Sequence, residues 1–351
     1  MHERGGDALF EQRPIVGDDL GDVAALLTRA RPDDPVDVVN FRHRDAAWDH
    51  ARLWRDRLGV WDRSGVLRGV VTVAHLRWEF HPDRYEVQLV VDPEARRKGI
   101  GGALHDWAIA SLDRRAAVSV RVEVPETDAA SQTWVQRRGY VEVGRAWEGR
   151  LRVAQAHVEA LAPGCARAVA AGVRVTTLAA LVAEAVPPFP PTEGGRGGIV
   201  PRSPLEARDT IEAALFDLDV EATADIPSVD PIVHPPFEAW RASVLRVPGF
   251  VEGAVLLAMA GDALVGVAYL EARASTPGVL HQGFLGVRRA WRGCGVAQLL
   301  KRATVEVAAA RGVSEVRTFN DAGNAAMVHI NDVVGFTRAT AWITLVRALG
   351  A

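Results

Sequence analysis

An apolar strand, a basic turn and a glycine-rich helix start follow one another twice in this chain, and this repeat constrains the fold more than any other feature. The first copy, residues 87–104, carries Arg96, Gly99 and Gly101; the second, residues 284–300, carries Arg292, Gly295 and Ala297. Each reads Arg-x-x-Gly-x-(Gly or Ala). Arg292 follows Arg96 by 196 residues, and Gly335-Phe336 follows Gly139-Tyr140 by the same 196. A chain rich in Arg, Gly and Ala produces single matches by chance. Two matches in one register with a closing Gly-aromatic pair point instead to two copies of one structural unit.

The length of 351 residues exceeds what one hydrophobic core usually serves, so two domains are expected. The register places the boundary near residue 160, giving units of 1–158 and 159–351. The Pro- and Gly-rich stretch near 187–204 then becomes a loop inserted in the second unit, not a linker. Apolar residues make up 48% of the chain and the formal charge is only -3, so two full cores are expected and no global charge favours nucleic acid. No apolar run reaches membrane-spanning length and the start lacks a leader pattern, so a cytoplasmic protein free of membrane contact, monomeric or homodimeric, is expected. Cys165 and Cys294 are too few and too distant for a disulfide framework, and no His, Asp or Glu spacing suggests a metal.

Periodicity gives a mixed α/β order in each unit. In the first, a strand at 9–15 precedes a helix carrying Leu20, Val23, Leu26 and Leu27. Antiparallel strands follow at 66–76 and 85–91, then a helix carrying Leu104, Trp107, Ala108 and Leu112, a strand at 118–124 and a short helix at 131–138. In the second, a strand near 173–175 and a helix at 178–186 precede the insertion, about thirty residues long by register. Gly261-Asp262 between apolar runs signals a hairpin, 280–287 is the strand before the second turn, and Val296, Leu299, Leu300, Ala303 and Val307 mark the next helix.

A helix N-terminus offers unpaired N–H groups and partial positive charge, which suits a phosphate. Arg96, Arg97 and Lys98 in one copy, and Arg288, Arg289 and Arg292 in the other, add full charges that a diphosphate favours. A dinucleotide turn would need a third glycine, yet Leu104 and Gln298 follow where it would fall.

On these residues the chain resembles the GNAT N-acetyltransferase superfamily, whose signature Arg/Gln-x-x-Gly-x-Gly/Ala joins the fourth strand to the third helix. Thr318, Asn320, Asn324, Met327, Asn331 and Gly335-Phe336 resemble the C-terminal half of tandem actinobacterial members of mycothiol-synthase-like plan. The resemblance implies two tandem α/β folds, each a mixed, mostly antiparallel sheet flanked by helices, and acetyl-CoA as the acyl donor with CoA as product. It implies that backbone around Lys98, Gly99, Gly101 and Gly102, and around Gly293, Cys294, Gly295, Val296 and Ala297, holds the CoA diphosphate. Main chain near Leu89 and Val91, and near Leu285 and Val287, would pair with pantetheine, and Asn324 would touch the CoA arm. Asp128 stands at the Asn324 position in the first copy.

The family mechanism is attack of an amine on the thioester, with a carboxylate taking the amine proton and a tyrosine protonating the thiolate. Here the tyrosine position holds Val135 in one copy and Asn331 in the other, and Asn331 offers only a hydrogen bond. Glu86 is the best-placed carboxylate; its counterpart by sequence offset is Gln282, beside His281, which could titrate near neutrality. Cys294 lies at the diphosphate end, away from the acetyl group. The expected function is acetylation of a small-molecule primary amine. Its rivals are a non-catalytic acyl-CoA sensor, which the missing tyrosines favour, and a protein N-acetyltransferase. The acidic segment 217–236, with Asp219, Asp225, Asp230 and His234, is expected to be a solvated loop that could attract a cationic amine.

Overall fold

Neither half of the chain completes its own sheet. The structure is a computed structural model that describes residues 10–185 and 204–350. In the first half β1 (Phe10–Pro14) leads to α1 (Leu20–Ala30) and α2 (Val38–Ala46). Strands β2 (Arg55–Asp62), β3 (Leu67–Ala74) and β4 (Arg84–Val91) follow, then α3 (Ile100–Asp113), β5 (Ser119–Pro125), α4 (Ala129–Gln136) and β6 (Val141–Arg152). A connecting helix α5 (Ala162–Ala170) opens the second half. There β7 (Val173–Thr177), α6 (Leu178–Glu184), α7 (Pro204–Thr223) and α8 (Phe237–Val244) precede β8 (Phe250–Ala260), β9 (Ala263–Ala272), β10 (Val279–Val287), α9 (Val296–Ala310), β11 (Glu315–Asp321), α10 (Ala325–Val334) and β12 (Thr337–Ala348).

All twelve strands form one sheet in the order β1-β2-β3-β4-β5-β12-β6-β11-β10-β9-β8-β7. The last strand of each half is exchanged: β12 pairs antiparallel with β5, and β6 with β11, while β12 and β6 pair at the centre. Packing follows the exchange. Ile343 and Leu345 of β12 join the first core with Leu104, Val120 and Val124, and Leu151 of β6 joins the second with Leu300 and Val316. The boundary at 158/159 falls between β6 and α5 and does not cut the molecule into two closed sheets.

Each core is closed by the helix that follows the glycine turn. A side chain on Gly69 of β3 would meet Ile100 and Leu104 of α3 within 3.0 Å, and one on Gly266 of β9 would meet Leu300 and Val296 of α9 within 3.1 Å. Glycine at both positions lets the helix settle close on the sheet.

Among the elements that the periodicity reading does not place are α2 and β2. Helix α2 buries only Asn40 of its nine residues and is started by Asp37, which accepts from Val39 and Asn40 N–H groups. Strand β2 buries Leu58, Gly59, Val60 and Trp61 in succession, not in alternation. The extra length of the second half lies between β7 and α7: β7 begins 163 residues after β1, whereas α9 begins 196 after α3. The Pro/Gly-rich stretch 187–203 lies outside the described residues. The acidic segment is not wholly a loop, since α7 runs to Thr223.

Candidate active site

Both glycine turns stand at the end of a strand whose parallel partner has just left it. β4 and β5 pair only from Arg84↔Ser119 to Glu86↔Arg121, and β10 and β11 only from Val279↔Glu315 to Gln282↔Thr318. Beyond these points β5 stays with β12 and β11 with β6, so 87–91 and 283–287 have a strand neighbour on one side only. Leu89, Val91, Leu285 and Val287 lie on these half-paired runs. Main-chain groups there need partners from outside the sheet.

The two turns share one geometry. Arg96 Nε reaches back to Val91 O at 3.5 Å and Arg292 Nε to Val287 O at 3.2 Å, so the signature arginine ties each turn to its strand. Gly99 and Gly295 cap α3 and α9 in the left-handed region, with φ of 86° and 89°. Among the described residues, a side chain on Gly99 or Gly102 would meet nothing within 4 Å, whereas one on Gly295 would fall 2.0 Å from Gly164 O of α5. Gly101 lies near Val91 and Trp134, and Ala297 and Val296 pack in the second core. Gly293 is exposed, and Cys294 is half-buried with Sγ 3.7 Å from Arg292 O.

Charge separates the turns. Arg96, Arg97 and Lys98 are exposed, and among the described residues no carboxylate pairs with them. In the second copy Asp225 takes Arg289 at 2.8 and 2.9 Å and Arg292 at 2.6 Å. Glu221 takes Arg288 at 2.8 Å and the Arg289 N–H at 2.7 Å. The Arg289 and Arg292 guanidiniums hold the Asp225 carboxyl far below the usual carboxylate range. The positive charge expected at this turn is therefore largely neutralised from within.

Glu86 stands at the last paired position before β4 and β5 part. Tyr85 and Val87 point into the first core against α3, so Glu86 faces the opposite side of the sheet. Removal from water pushes its pKa up to about 7, with Glu123 and Glu79 adding and Arg121 and Gln88 opposing. The second half walls this region: Asp230 pairs with Arg84, its N–H donates to Glu79 at 3.3 Å, and Glu79 also accepts from Arg121 at 2.8 Å. From β12, Thr344 pairs with Glu123.

Register corrects the counterpart of Glu86. Glu86 pairs with Ala74 on β3, and its structural equivalent, paired with Glu271 on β9, is His281. A register shift between Gln282 and Phe284 inserts Gly283 and restores the common offset. His281 does not titrate near neutrality. Its Nε2 meets Thr276 Oγ1 at 3.0 Å, and burial, with Arg273 and Arg317, drives its pKa down to about 3. Gln282 instead accepts from the fully buried Lys301 Nζ at 2.8 Å, and burial lowers the Lys301 pKa to about 7. Lys301, the counterpart of His105 by offset, lies 4.9 Å from the Phe336 ring centre.

Asn331 is buried on α10 with its Oδ1 unpartnered, where α4 has the buried Val135. Asn324 and Asp128 share a structural task as helix caps, accepting from Met327 N–H at 3.3 Å and Ser131 N–H at 3.0 Å. The acidic segment is not a free lure for cations. Besides the pairings of Asp225 and Asp230, Asp219 is buried and accepts from Trp240 Nε1 at 2.9 Å, and burial raises its pKa to about 6. His234 Nε2 meets Thr223 Oγ1 at 2.5 Å. Sequence reasoning missed Glu79, Arg121, Glu221 and Lys301. The fixed offset, which puts Lys301 on His105 and Glu221 on Ala25, was the signal available for two of them.

No helix among the described residues is long and apolar enough to cross a membrane. No curated protein sequence matches this chain. Among solved structures, the tandem GNAT protein from the clavulanic acid biosynthesis pathway aligns with TM-score 0.69 at 18% identity over 97% of this chain and 99% of that one. An N-acetyltransferase from Sphaerobacter thermophilus aligns with TM-score 0.62 at 20% identity over 97% and 96%. The glucosamine N-acetyltransferase region of a fungal multi-domain β-N-acetylglucosaminidase gives TM-score 0.63 at 14% identity over 99% of this chain and 39% of that one. These likenesses concern the fold. The acetyltransferase (GNAT) family pattern matches residues 23–140 and again 219–336, and with both turns present the chain belongs to the GNAT acetyltransferase family as a tandem member.

Proposed function

We propose that this protein transfers an acetyl group from acetyl-CoA to a primary amine of a small molecule, with Glu86 as proton acceptor. The observation that carries the reading is Glu86 itself, a carboxyl with a pKa of about 7 where β4 and β5 part. The exposed cations and open glycines of residues 96–102 fit a diphosphate, and the half-paired run 87–91 fits an extended amide chain. When bound, acetyl-CoA supplies the thioester carbonyl that an amine attacks.

The chain's own task is to manage the amine proton. An amine of ordinary pKa near 10 is protonated at neutral pH. A base poised near 7 accepts the proton released by the attacking nitrogen better than a carboxylate of ordinary pKa, which holds it too weakly. Val135 at the tyrosine position of this half donates no proton, so the departing thiolate has no side-chain acid there. The test is thiol release from acetyl-CoA in the presence of a panel of small amines. Amine-dependent release lost in Glu86→Gln supports the reading; CoA binding with no turnover of any amine sinks it in favour of a sensor.

A further inference from the structure

The two turns are alike in backbone and opposite in what surrounds them. Near the first, the helix-to-turn ion pair runs from Arg29 on α1 to Asp92 at 2.9 Å, with Arg68 adding a second cation to Asp92 at 3.2 Å. That arrangement consumes an acid, and among the described residues no carboxylate pairs with Arg96, Arg97 or Lys98. At the matching positions of the second half the signs reverse: Arg29 becomes Asp225 and Asp92 becomes Arg288. Helix α7, with Glu221, and the turn just past its end, with Asp225, now supply acid and the glycine turn supplies base, so Asp225 and Glu221 absorb Arg289, Arg292 and Arg288. Three turn cations face solvent in one half. In the other, three arginines meet two carboxylates.

Packing acts in the same direction. Helix α5, which opens the second half, lies on the first turn of α9: a side chain on Gly295 would strike Gly164 O at 2.0 Å, and one on Gly164 would strike Gln298 Oε1 at 1.4 Å. The matching Gly99 and Gly102 face open space among the described residues.

We infer that the second turn is occupied by the chain's own groups and that the protein binds one CoA, at the first turn. This rests on the acyl-CoA chemistry proposed above. The second half then serves the first structurally, through β12 and the Asp230 wall beside Glu79, and not as a second catalyst.

Calorimetry of the full chain with CoA tests the inference. One site per chain is expected, weakened on the order of tenfold or more by Lys98→Glu, which reverses an exposed charge beside a bound diphosphate. Hydrogen exchange with and without CoA locates the site independently: slowed exchange is expected at 97–102 and unchanged exchange at 293–298. Two sites per chain, or slowed exchange at 293–298, overturns the assignment alone. Absence of saturable binding to wild type overturns the acyl-CoA reading and this assignment together.

Discussion

The carbonyl oxygen of Gly164 stands 2.0 Å from the place where a side chain on Gly295 would begin. The matching Gly99 has the same left-handed backbone and, among the described residues, nothing within 4 Å of that place. Alanine substitution therefore separates conformational strain from collision. Gly99→Ala pays the left-handed penalty of about 1–2 kcal/mol. Gly295→Ala adds overpacking of about 1–3 kcal/mol and pushes α5 from α9. Urea unfolding of the two variants checks the order; equal losses would show that the α5 contact yields freely.

Glu86→Gln is expected to lower kcat by about 10²–10⁴ while leaving the KM for acetyl-CoA near wild type. Because the acting form is the carboxylate, the wild-type rate should climb with pH through about 7, and the variant should lose that limb. Stability moves the other way. A carboxyl whose pKa is raised on folding costs the native state progressively as pH rises from its unfolded value, near 4.5, through about 7. Glu86→Gln should thus be more stabilising at pH 8 than at pH 5 in thermal melts.

Lys301 is buried, and among the described residues its Nζ donates to Gln282 Oε1 and lies over the Phe336 ring. Its pKa falls from 10.5 to about 7, so the unfolded chain holds the proton more tightly. Wild-type stability should accordingly rise between pH 7 and pH 10, an increase that Lys301→Met removes. The single variant leaves Gln282 Oε1 unpaired in the core at a cost of about 1–3 kcal/mol. Lys301→Met with Gln282→Leu should melt higher than either single variant at pH 6. A double variant less stable than wild type would assign this pair a net stabilising role.

The repeat told most of what local pattern can tell: glycine spacing placed both turns, and apolar periodicity placed α3, α9 and the strands before them. What it left out has physical causes. The destination of β6 and β12 is a choice between two nearly equivalent neighbours, and the alternation of Ile343 and Leu345 reads the same in either sheet. Gly283 shifted the equivalence of Glu86 from Gln282 to His281 because a single inserted bulge residue leaves no periodic trace. The burial that moves Glu86 up and His281 down is tertiary, as is the seizure of Arg289 and Arg292 by Asp225, 67 residues from Arg292.

Strand exchange predicts where damage in β12 is felt. Leu345 is fully buried in the first core although it belongs to the second half of the chain. Leu345→Ala should cost about 2–5 kcal/mol. Amide exchange should accelerate in β5 and α3 before β10 and α9. Faster exchange beginning in β10 would contradict the exchanged arrangement.

Arg97 sets stability against binding at a single residue. Its φ of 65° is a left-handed conformation that its counterpart, Gly293, adopts at 76° with no side chain to accommodate. A non-glycine residue held there costs about 1–2 kcal/mol, and Arg97 is exposed, so no packing offsets that cost. Strain of this kind persists where function requires the side chain, and the side chain here is one of three cations beside an open helix start. Arg97→Gly should therefore raise the unfolding free energy, less about 0.4–1 kcal/mol for the greater freedom of glycine in the unfolded chain. The same change should weaken CoA binding and flatten its dependence on salt, since one screened charge is gone. Denaturant titration and calorimetry at two ionic strengths measure both effects on one preparation. A variant that gains stability with undiminished affinity would show that the cation at 97 does not touch the diphosphate, and Arg96 and Lys98 would then have to hold it alone.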